Sequence, residues 1–445
     1  MQDLLAALGV MAALGSSMLI ARLLSGKISP EWSRKIIHIA MGCIALTFPF
    51  VFANSWSVIL LGLISIGILL LLRHIKALRQ SIGQTLLGVK RKSFGEIYFV
   101  IAIMVVFFLH QSPFEYLIAI SVLTFADSIA ALVGISYGRH TIAHADEDAK
   151  SSEGSTTFFV VAFMCALVPL QLMTEIGRAE VLVISFLIGL LAAMIEMIAK
   201  NGNDNLLLPL LTYSILRENI YKPLDEILTN LGIMVIFFAV GIMVYKLTNL
   251  TKLSVVYALL AAYLMMILGG IMWIFPPLML FVTFGIMPEM TDEEKQMTQN
   301  YKVIECNTIV GILCLYASVF LPDLRDVLYI AFSLSFACHL AINTYSRFVN
   351  FFHKKKRVAA AMGLGKAAVF IALPTLILTN MNWLTFGLYL GAMVLVVPPA
   401  VFFNIMYDYK NVGDETFRAN KTTVGTYVAI FIIVTVLIGG YYGIF

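Results

Sequence analysis

Long uninterrupted apolar runs are the feature of this sequence that most restricts its fold. Runs of about 20 apolar residues recur along nearly the whole chain, and each is long enough for a helix to cross a bilayer. Only 13% of the 445 residues are charged, while 60% are hydrophobic. The runs are continuous rather than alternating, which excludes a transmembrane β-barrel. The sequence therefore predicts an all-α, polytopic integral membrane protein.

We predict about fourteen transmembrane helices in two helical modules, residues 1–250 and 251–445. A further apolar segment, 275–288, is too short to count as a span and is expected to be re-entrant if it does not cross. The predicted spans are 3–24, 36–53, 57–72, 96–110, 114–136, 155–172, 181–199, 229–247, 253–273, 303–321, 327–345, 364–380, 384–406 and 424–443.

Basic residues set the predicted orientation of the first module. Up to residue 228, fourteen lysines and arginines fall in loops that would share one face, while the other loops hold one, Arg178. By the positive-inside rule the basic face is cytoplasmic, and both chain termini are then non-cytoplasmic. The basic loops are 25–35, 73–95, 136–154 and 200–228.

The small net charge of +4 follows from this loop distribution and gives no reason to expect nucleic-acid binding. The five cysteines lie in or beside apolar segments without metal-ligand spacing, so a disulfide framework is not expected. The sequence does not indicate an oligomeric state.

Asp127 is the most informative polar residue, because an acid inside an apolar helix is costly and marks a functional site by default. The small residues Ala131, Gly134 and Gly138 follow at positions +4, +7 and +11, on the same helical face. A smooth face beside a carboxylate suits the close approach of a phosphate group and its metal ion.

A polar loop with a lysine follows this helix. Lys150 and Ser151 precede Glu153, Gly154 and Ser155 at the start of the next apolar run. Small residues allow backbone N–H groups to approach an anion, and a lysine provides a point charge for phosphate. The alternative explanation is a solvated loop with an ordinary helix cap.

Other polar residues lie on the same predicted face. Each has an ordinary explanation, such as an interfacial anchor, a helix-terminus acid, an i,i+4 pair or a turn. Together they favour one shared site, in which Asp127, Glu196 and Asp204 offer carboxylates and Asn205 an amide oxygen, the ligands that Mg²⁺ prefers. The remaining members of the set are Arg34, Lys35, His38, Gly95, Glu96 and Pro209.

In this order, the motifs resemble those of the polyprenol, phytol and dolichol kinases, a family of integral membrane enzymes. The resemblance covers residues 30–210, and the Lys-Ser-x-Glu-Gly-Ser element at 150–155 is its most specific part. It implies phosphorylation of a long isoprenoid alcohol, with CTP as the usual donor. The signature of the more distantly related CDP-diacylglycerol synthases is absent, and residues 251–445 match no family that we can name.

The expected activity is therefore a CTP-dependent kinase acting on phytol, geranylgeraniol or a polyprenol at the cytoplasmic face, with Mg²⁺ as cofactor. Alternatives are a diacylglycerol kinase, a phosphatidate cytidylyltransferase, and a transporter or scaffold that retains an inactive kinase module. We expect catalytic roles for Asp127, Lys150, Glu153 and Glu196, of which Asp127 or Glu196 would accept the hydroxyl proton. Nucleotide binding is expected from Arg34, Lys35, His38, Gly134, Gly138, Ser151, Gly154 and Ser155.

Overall fold

The computed structural model is helical throughout the part of the chain that it describes, which contains no β-strand. This part comprises residues 2–24, 30–74, 94–142, 150–199, 202–286, 289, 291–292, 294, 301–379, 383–398, 401 and 425. The predicted span 424–443 and the end of 384–406 lie almost entirely outside it.

The chain divides into two compact units, Met1–Gly232 and Ile233–Phe445. Unit 1 contains every candidate site residue. The functional boundary that the sequence places near residue 250 stays a prediction.

Unit 1 begins with a helical hairpin and ends with a set of tightly packed helices around a π-helical turn at Val122–Ala126. Its helices are α1 (Gln2–Leu24), α2 (Pro30–Leu46), α3 (Phe48–Val51), α4 (Ser55–His74), α5 (Gly95–Leu109), α6 (Pro113–Ser121), α7 (Asp127–Tyr137), α8 (Ser152–Met173), α9 (Arg178–Ile198) and α10 (Asp204–Asn219); α11 (Leu224–Leu247) carries the boundary.

Unit 2 is built around one long helix, α15 (Arg325–Asn350), which is buried along most of its length. Its other described helices are α12 (Lys252–Leu264), α13 (Ile271–Ile286), α14 (Tyr301–Phe320), α16 (Lys356–Ala367), α17 (Leu373–Leu378) and α18 (Trp383–Val394). The predicted span 253–273 corresponds to the apolar segment Lys252–Gly269, which ends earlier than predicted because Gly270 breaks the chain direction with a φ of +88°. A positive φ of this kind is readily adopted only by glycine.

Ten helical segments among the described residues are long and apolar enough to cross a membrane, so the chain is a multi-pass membrane protein. The predicted count of about fourteen stays a prediction. The ten are Trp32–Val51, Ser55–His74, Pro113–Tyr137, Ser152–Met173, Arg178–Ile198, Leu224–Lys246, Lys252–Gly269, Tyr301–Phe320, Pro322–Asn350 and Lys356–Leu378.

The structure corrects the predicted loop 200–228, most of which is the helix α10. Two hydrogen bonds align α10 with α5: Asn205 Nδ2 donates to the carbonyl of Gly95 at 2.9 Å, and the Tyr213 hydroxyl donates to the carbonyl of Leu109 at 2.7 Å. α10 therefore runs parallel to α5 and reaches both of its ends. The prediction of a loop is therefore wrong for Asp204–Asn219, and α10 separates residues 202–203 from 220–223 along the length of α5.

Candidate active site

A π-helical turn leads directly into Asp127, the first residue of α7. Such turns interrupt the regular pairing of backbone groups and occur often at functional sites. Here the carbonyl of Leu123, inside the turn, lies 3.1 Å from Nε2 of His38 on α2. The same nitrogen lies 3.7 Å from Oδ2 of Asp127, so His38 faces both the turn and the carboxylate.

Lys35 holds the carboxylate of Asp127. Its Nζ donates to Oδ2 at 2.7 Å and to the Asp127 carbonyl at 3.3 Å, and both side chains are buried. A buried ion pair is favourable only when both charges are compensated, so these two residues depend on one another.

A glycine allows α2 to approach the π-turn this closely. A β carbon at Gly42 would lie 2.1 Å from Oγ1 of Thr124, which no side chain could tolerate without movement. Because His38 lies one helical turn before Gly42, this close approach sets the position of its imidazole.

Lys150 and Glu196 form the second ion pair of the site. The Lys150 ammonium donates to Oε1 of Glu196 at 2.5 Å and to the Glu196 carbonyl at 2.6 Å. Burial lowers the pKa of Lys150, but the carboxylates of Glu196, Asp204 and Asp127 together outweigh burial, and the pKa lies above its ordinary value of 10.5. Lys150 is therefore a permanent cation, and its side chain keeps 27% of its surface exposed, against 4% for Lys35.

The loop that carries Lys150 is closed by backbone and side-chain bonds. Ser152 N donates to the carbonyl of His140 at 2.9 Å, and Oγ of Ser151 caps α8 by accepting from Gly154 N at 3.1 Å. Glu153, a predicted catalytic residue, accepts from the His140 ring, with 2.7 Å between Oε1 and Nδ1. The structure thus gives Glu153 a loop-closing contact.

The predicted glycine face is the place where α7 and α8 cross. A β carbon at Gly154 would lie 3.4 Å from both the Gly134 Cα and the Ala130 carbonyl, and 3.1 Å from Oγ of Ser151. At Gly138 it would lie 2.7 Å from the same Oγ. These glycines bring the Lys150 loop against the helix of Asp127; a nucleotide-binding role for them stays a prediction.

Asp204 and Asn205 begin α10 beside the two ion pairs. The charge of Asp204 acts on those of Asp127, Lys150 and Lys35. Pro209 lies buried inside α10 and has no N–H, so the carbonyl of Asn205 lacks its usual partner four residues later. The amide nitrogen of Asn205 is bound to the carbonyl of Gly95. The atoms that Asn205 offers to a ligand are therefore its Oδ1 and its backbone carbonyl oxygen.

Several buried oxygens of the site have no hydrogen-bond partner among the described residues. They include Oε2 of Glu196, Oδ1 of Asp204 and Oγ of Ser155. The neighbouring Ser128 Oγ belongs with them and was not predicted, although its place directly after Asp127 could have indicated it. Unpaired carboxylate oxygens in a buried setting are costly and suit a cationic ligand.

The structure thus brings together two lysines, three carboxylates and His38. Arg34 lies half-buried within electrostatic range of Asp127. Glu96 lies half-buried in the first turn of α5. In the part of the chain that the structure describes, no three His, Cys, Asp or Glu side chains are arranged to hold a metal ion by themselves.

Comparison with known proteins identifies one related enzyme. A phytol kinase of Synechocystis sp. is 32% identical to this chain over 202 residues, which are 44% of this chain and 84% of that enzyme. No family model and no solved structure matches the chain.

Proposed function

The chain belongs to the family of phytol and related prenol kinases, and from that membership we propose that it transfers the γ-phosphate of CTP to the hydroxyl of a long isoprenoid alcohol, with CDP as the leaving group. We place the reaction at the cytoplasmic face of the membrane, where CTP is available. The acceptor would be phytol, geranylgeraniol or a polyprenol.

The observation that carries this proposal is the convergence of the pairs Lys35–Asp127 and Lys150–Glu196 with Asp204. Phosphoryl transfer depends mainly on positioning and on neutralising charge along an in-line displacement. Of the two lysines, the partly exposed Lys150 is the one that can reach a triphosphate from the surface. Lys35 is buried and keeps Asp127 in place.

The donor set suits Mg²⁺, which binds hard oxygen ligands and keeps several positions for waters and substrate phosphates. Asp204, Asn205 and Asp127 would hold it, and Oδ1 of Asp204, which has no hydrogen-bond partner among the described residues, is the clearest available ligand. When bound, Mg²⁺ would supply positive charge next to the phosphate oxygens. Few protein ligands are needed for such an ion, which agrees with the absence of a three-residue metal cluster among the described residues.

We assign acceptance of the hydroxyl proton to Glu196. One of its oxygens is bound by Lys150, while Oε2 is buried and unpartnered among the described residues. Oδ2 of Asp127, in contrast, is engaged by Lys35 and faced by His38. The alcohol would enter from the lipid between the apolar helices, with its hydroxyl at Glu196.

The direct test is phosphate transfer by the purified full-length protein from γ-labelled CTP to phytol, geranylgeraniol, a polyprenol and diacylglycerol. We expect labelled isoprenoid phosphate and little labelled phosphatidate. Transfer of the cytidylyl group with release of pyrophosphate would instead show a nucleotidyltransferase, and preferential phosphorylation of diacylglycerol would refute the choice of acceptor.

Two site variants test whether the protein is an active kinase or a scaffold that retains an inactive kinase module. Asp127→Asn and Lys150→Ala should each reduce transfer at low CTP about tenfold or more, and with it the biological activity of the protein. Lys222→Ala is the matched control. Lys222 also forms an ion pair, with Glu218 four residues earlier, but it takes no part in the site. Full biological activity of both site variants would mean that chemistry at this site is not the function of the protein.

A further inference from the structure

Unit 2 contains a buried histidine in the middle of its central helix. His339 is the fifteenth residue of α15, so it lies about 21 Å along a helix about 39 Å long. Only 1% of its surface is exposed, and Nε2 has no hydrogen-bond partner among the described residues. An ionisable side chain at such depth is a functional-site hypothesis by default.

Two more buried polar atoms lie within about one helical turn of His339. Ser335 is fully buried one turn earlier on the same face of α15, and its Oγ is unpartnered within the described chain. On the neighbouring antiparallel helix α14, Gly311 packs against Phe336, which places Asn307, one turn earlier, near the level of His339. The Oδ1 atom of Asn307 is buried without a described partner as well.

The opposite edge of the imidazole is closely packed. A β carbon at Gly425 would lie 3.1 Å from Nδ1 of His339 and 3.2 Å from its Cε1. The ring is thus covered on its Nδ1 side, and among the described residues nothing occupies Nε2, which is the atom that remains for a ligand.

The chemistry of these atoms defines what would fit. The amide oxygen of Asn307 can only accept a hydrogen bond, and the hydroxyl of Ser335 can both donate and accept one. Nε2 of a neutral His339 ring either donates or accepts. Their common complement is a hydroxyl group, which can also do both. The depth in the membrane disfavours a charged ligand, because burying an ion there costs far more than burying a neutral polar group.

We propose that Ser335, His339 and Asn307 form a second binding site, which holds the hydroxyl of a membrane lipid alcohol and rejects the phosphorylated product. That the alcohol is an isoprenoid rests on the function proposed above. The site would keep unphosphorylated substrate within the same polypeptide as the kinase unit.

The test uses a geranylgeraniol analogue with a diazirine on its tail, cross-linked to the purified full-length protein without nucleotide. Peptides from α14 and α15 should be labelled, and phytol should compete whereas phytane, which lacks the hydroxyl, and phytyl phosphate should not. Equal competition by phytane or by the phosphate, or no labelling of these peptides, would overturn the proposal. Stronger competition by diacylglycerol than by phytol would overturn the choice of an isoprenoid.

Variants assign the contact to these side chains. His339→Leu and Ser335→Ala should each lower labelling of the α14 and α15 peptides about three- to tenfold, the effect of losing one hydrogen bond. Cys338→Ala, an equally buried change on the next face, should not. If His339→Leu fails to fold, Ser335→Ala decides, and unchanged labelling in it refutes the site. Since labelling needs no CTP, absent phosphate transfer with intact labelling would refute only the kinase.

Discussion

At the scale of single residues, the site depends on two charge pairs whose members are far apart in sequence. Lys35 and Asp127 are separated by 92 positions, and Lys150 and Glu196 by 46. The sequence predicted all four residues as members of one site, because each is a polar residue in or beside an apolar segment. It could not predict which lysine pairs with which acid, since that depends on how the helices pack.

The buried pair makes a prediction for stability. Lys35→Met leaves the Asp127 carboxylate buried without its partner and should destabilise the protein by about 3–5 kcal/mol. The double variant Lys35→Met with Asp127→Leu removes both charges and should recover most of that loss, although it stays inactive. Thermal unfolding in detergent measures the order of the midpoints. A double variant that is less stable than Lys35→Met would contradict the pairing.

Lys150 makes a prediction for the pH dependence of nucleotide binding. A group whose pKa is raised on folding keeps its charge, and the stability of its ion pair, until the pH rises through the raised value. Because that value lies above 10.5, the KM for CTP should not rise through loss of this charge between neutral pH and about pH 9.5. Lys150→Met should raise KM about tenfold or more over this range, since bonds to charged groups contribute about 1.5–3 kcal/mol.

The corresponding control is Lys150→Arg, which keeps the charge but changes the geometry, and it should retain the flat profile. A profile of the unaltered protein that falls steeply above neutral pH, and is flat in Lys150→Met, would show that Lys150 titrates in this range and would refute the assignment.

At the scale of helices, the crossing of α7 and α8 is the contact that joins the two halves of the site. Gly154→Val would force branched carbons against the Ala130 carbonyl and the Gly134 backbone, already at 3.4 Å from a single β carbon. We expect loss of transfer activity and a lower unfolding midpoint. Gly67→Val, in α4 where nothing lies within 4 Å, is the matched control and should change neither. Equal behaviour of the two variants would mean that the crossing does not organise the site.

α10 is a helix that the hydropathy of the sequence did not predict. Prediction of spans assumes that a membrane helix faces lipid, and α10 carries Thr212, Arg217 and Asn219 among its apolar residues. Inside unit 1 two of these residues have protein partners: Arg217 binds Glu115, and Asn219 is buried and bound to Asn230. The charge of Arg217 and the amide of Asn219 are therefore compensated by protein, although the sequence of the helix resembles that of a loop.

At the scale of the whole molecule, α10 changes the expected topology of unit 1. Arg217 binds Gln111 and Glu115, where α6 begins, while Arg139 follows α7 at the far end of the same span. If the Arg139 end is cytoplasmic, as the basic loops predict, then Tyr221 lies on the opposite side.

Cysteine labelling tests this arrangement in a background without the native cysteines. With a membrane-impermeant thiol reagent on sealed cells, Tyr221→Cys should react and Arg139→Cys should react only after the membrane is opened. Both positions are exposed, so access to reagent is set by the side of the membrane. Protection of both in sealed cells would show that α10 does not cross.

The partial polarity of α10 also has a consequence for biosynthesis. α10 has 16 residues and carries Asp204 and Arg217 near its two ends, so it is shorter and more polar than the segments that a translocon admits one at a time. We expect it to insert only after α5, α6 and α9, the helices that it packs against, are in the bilayer. A nascent chain that has emerged only as far as Glu196 contains the four residues of the two ion pairs but lacks Asp204. We therefore expect the order of synthesis to delay completion of the site until the helices of unit 1 have assembled.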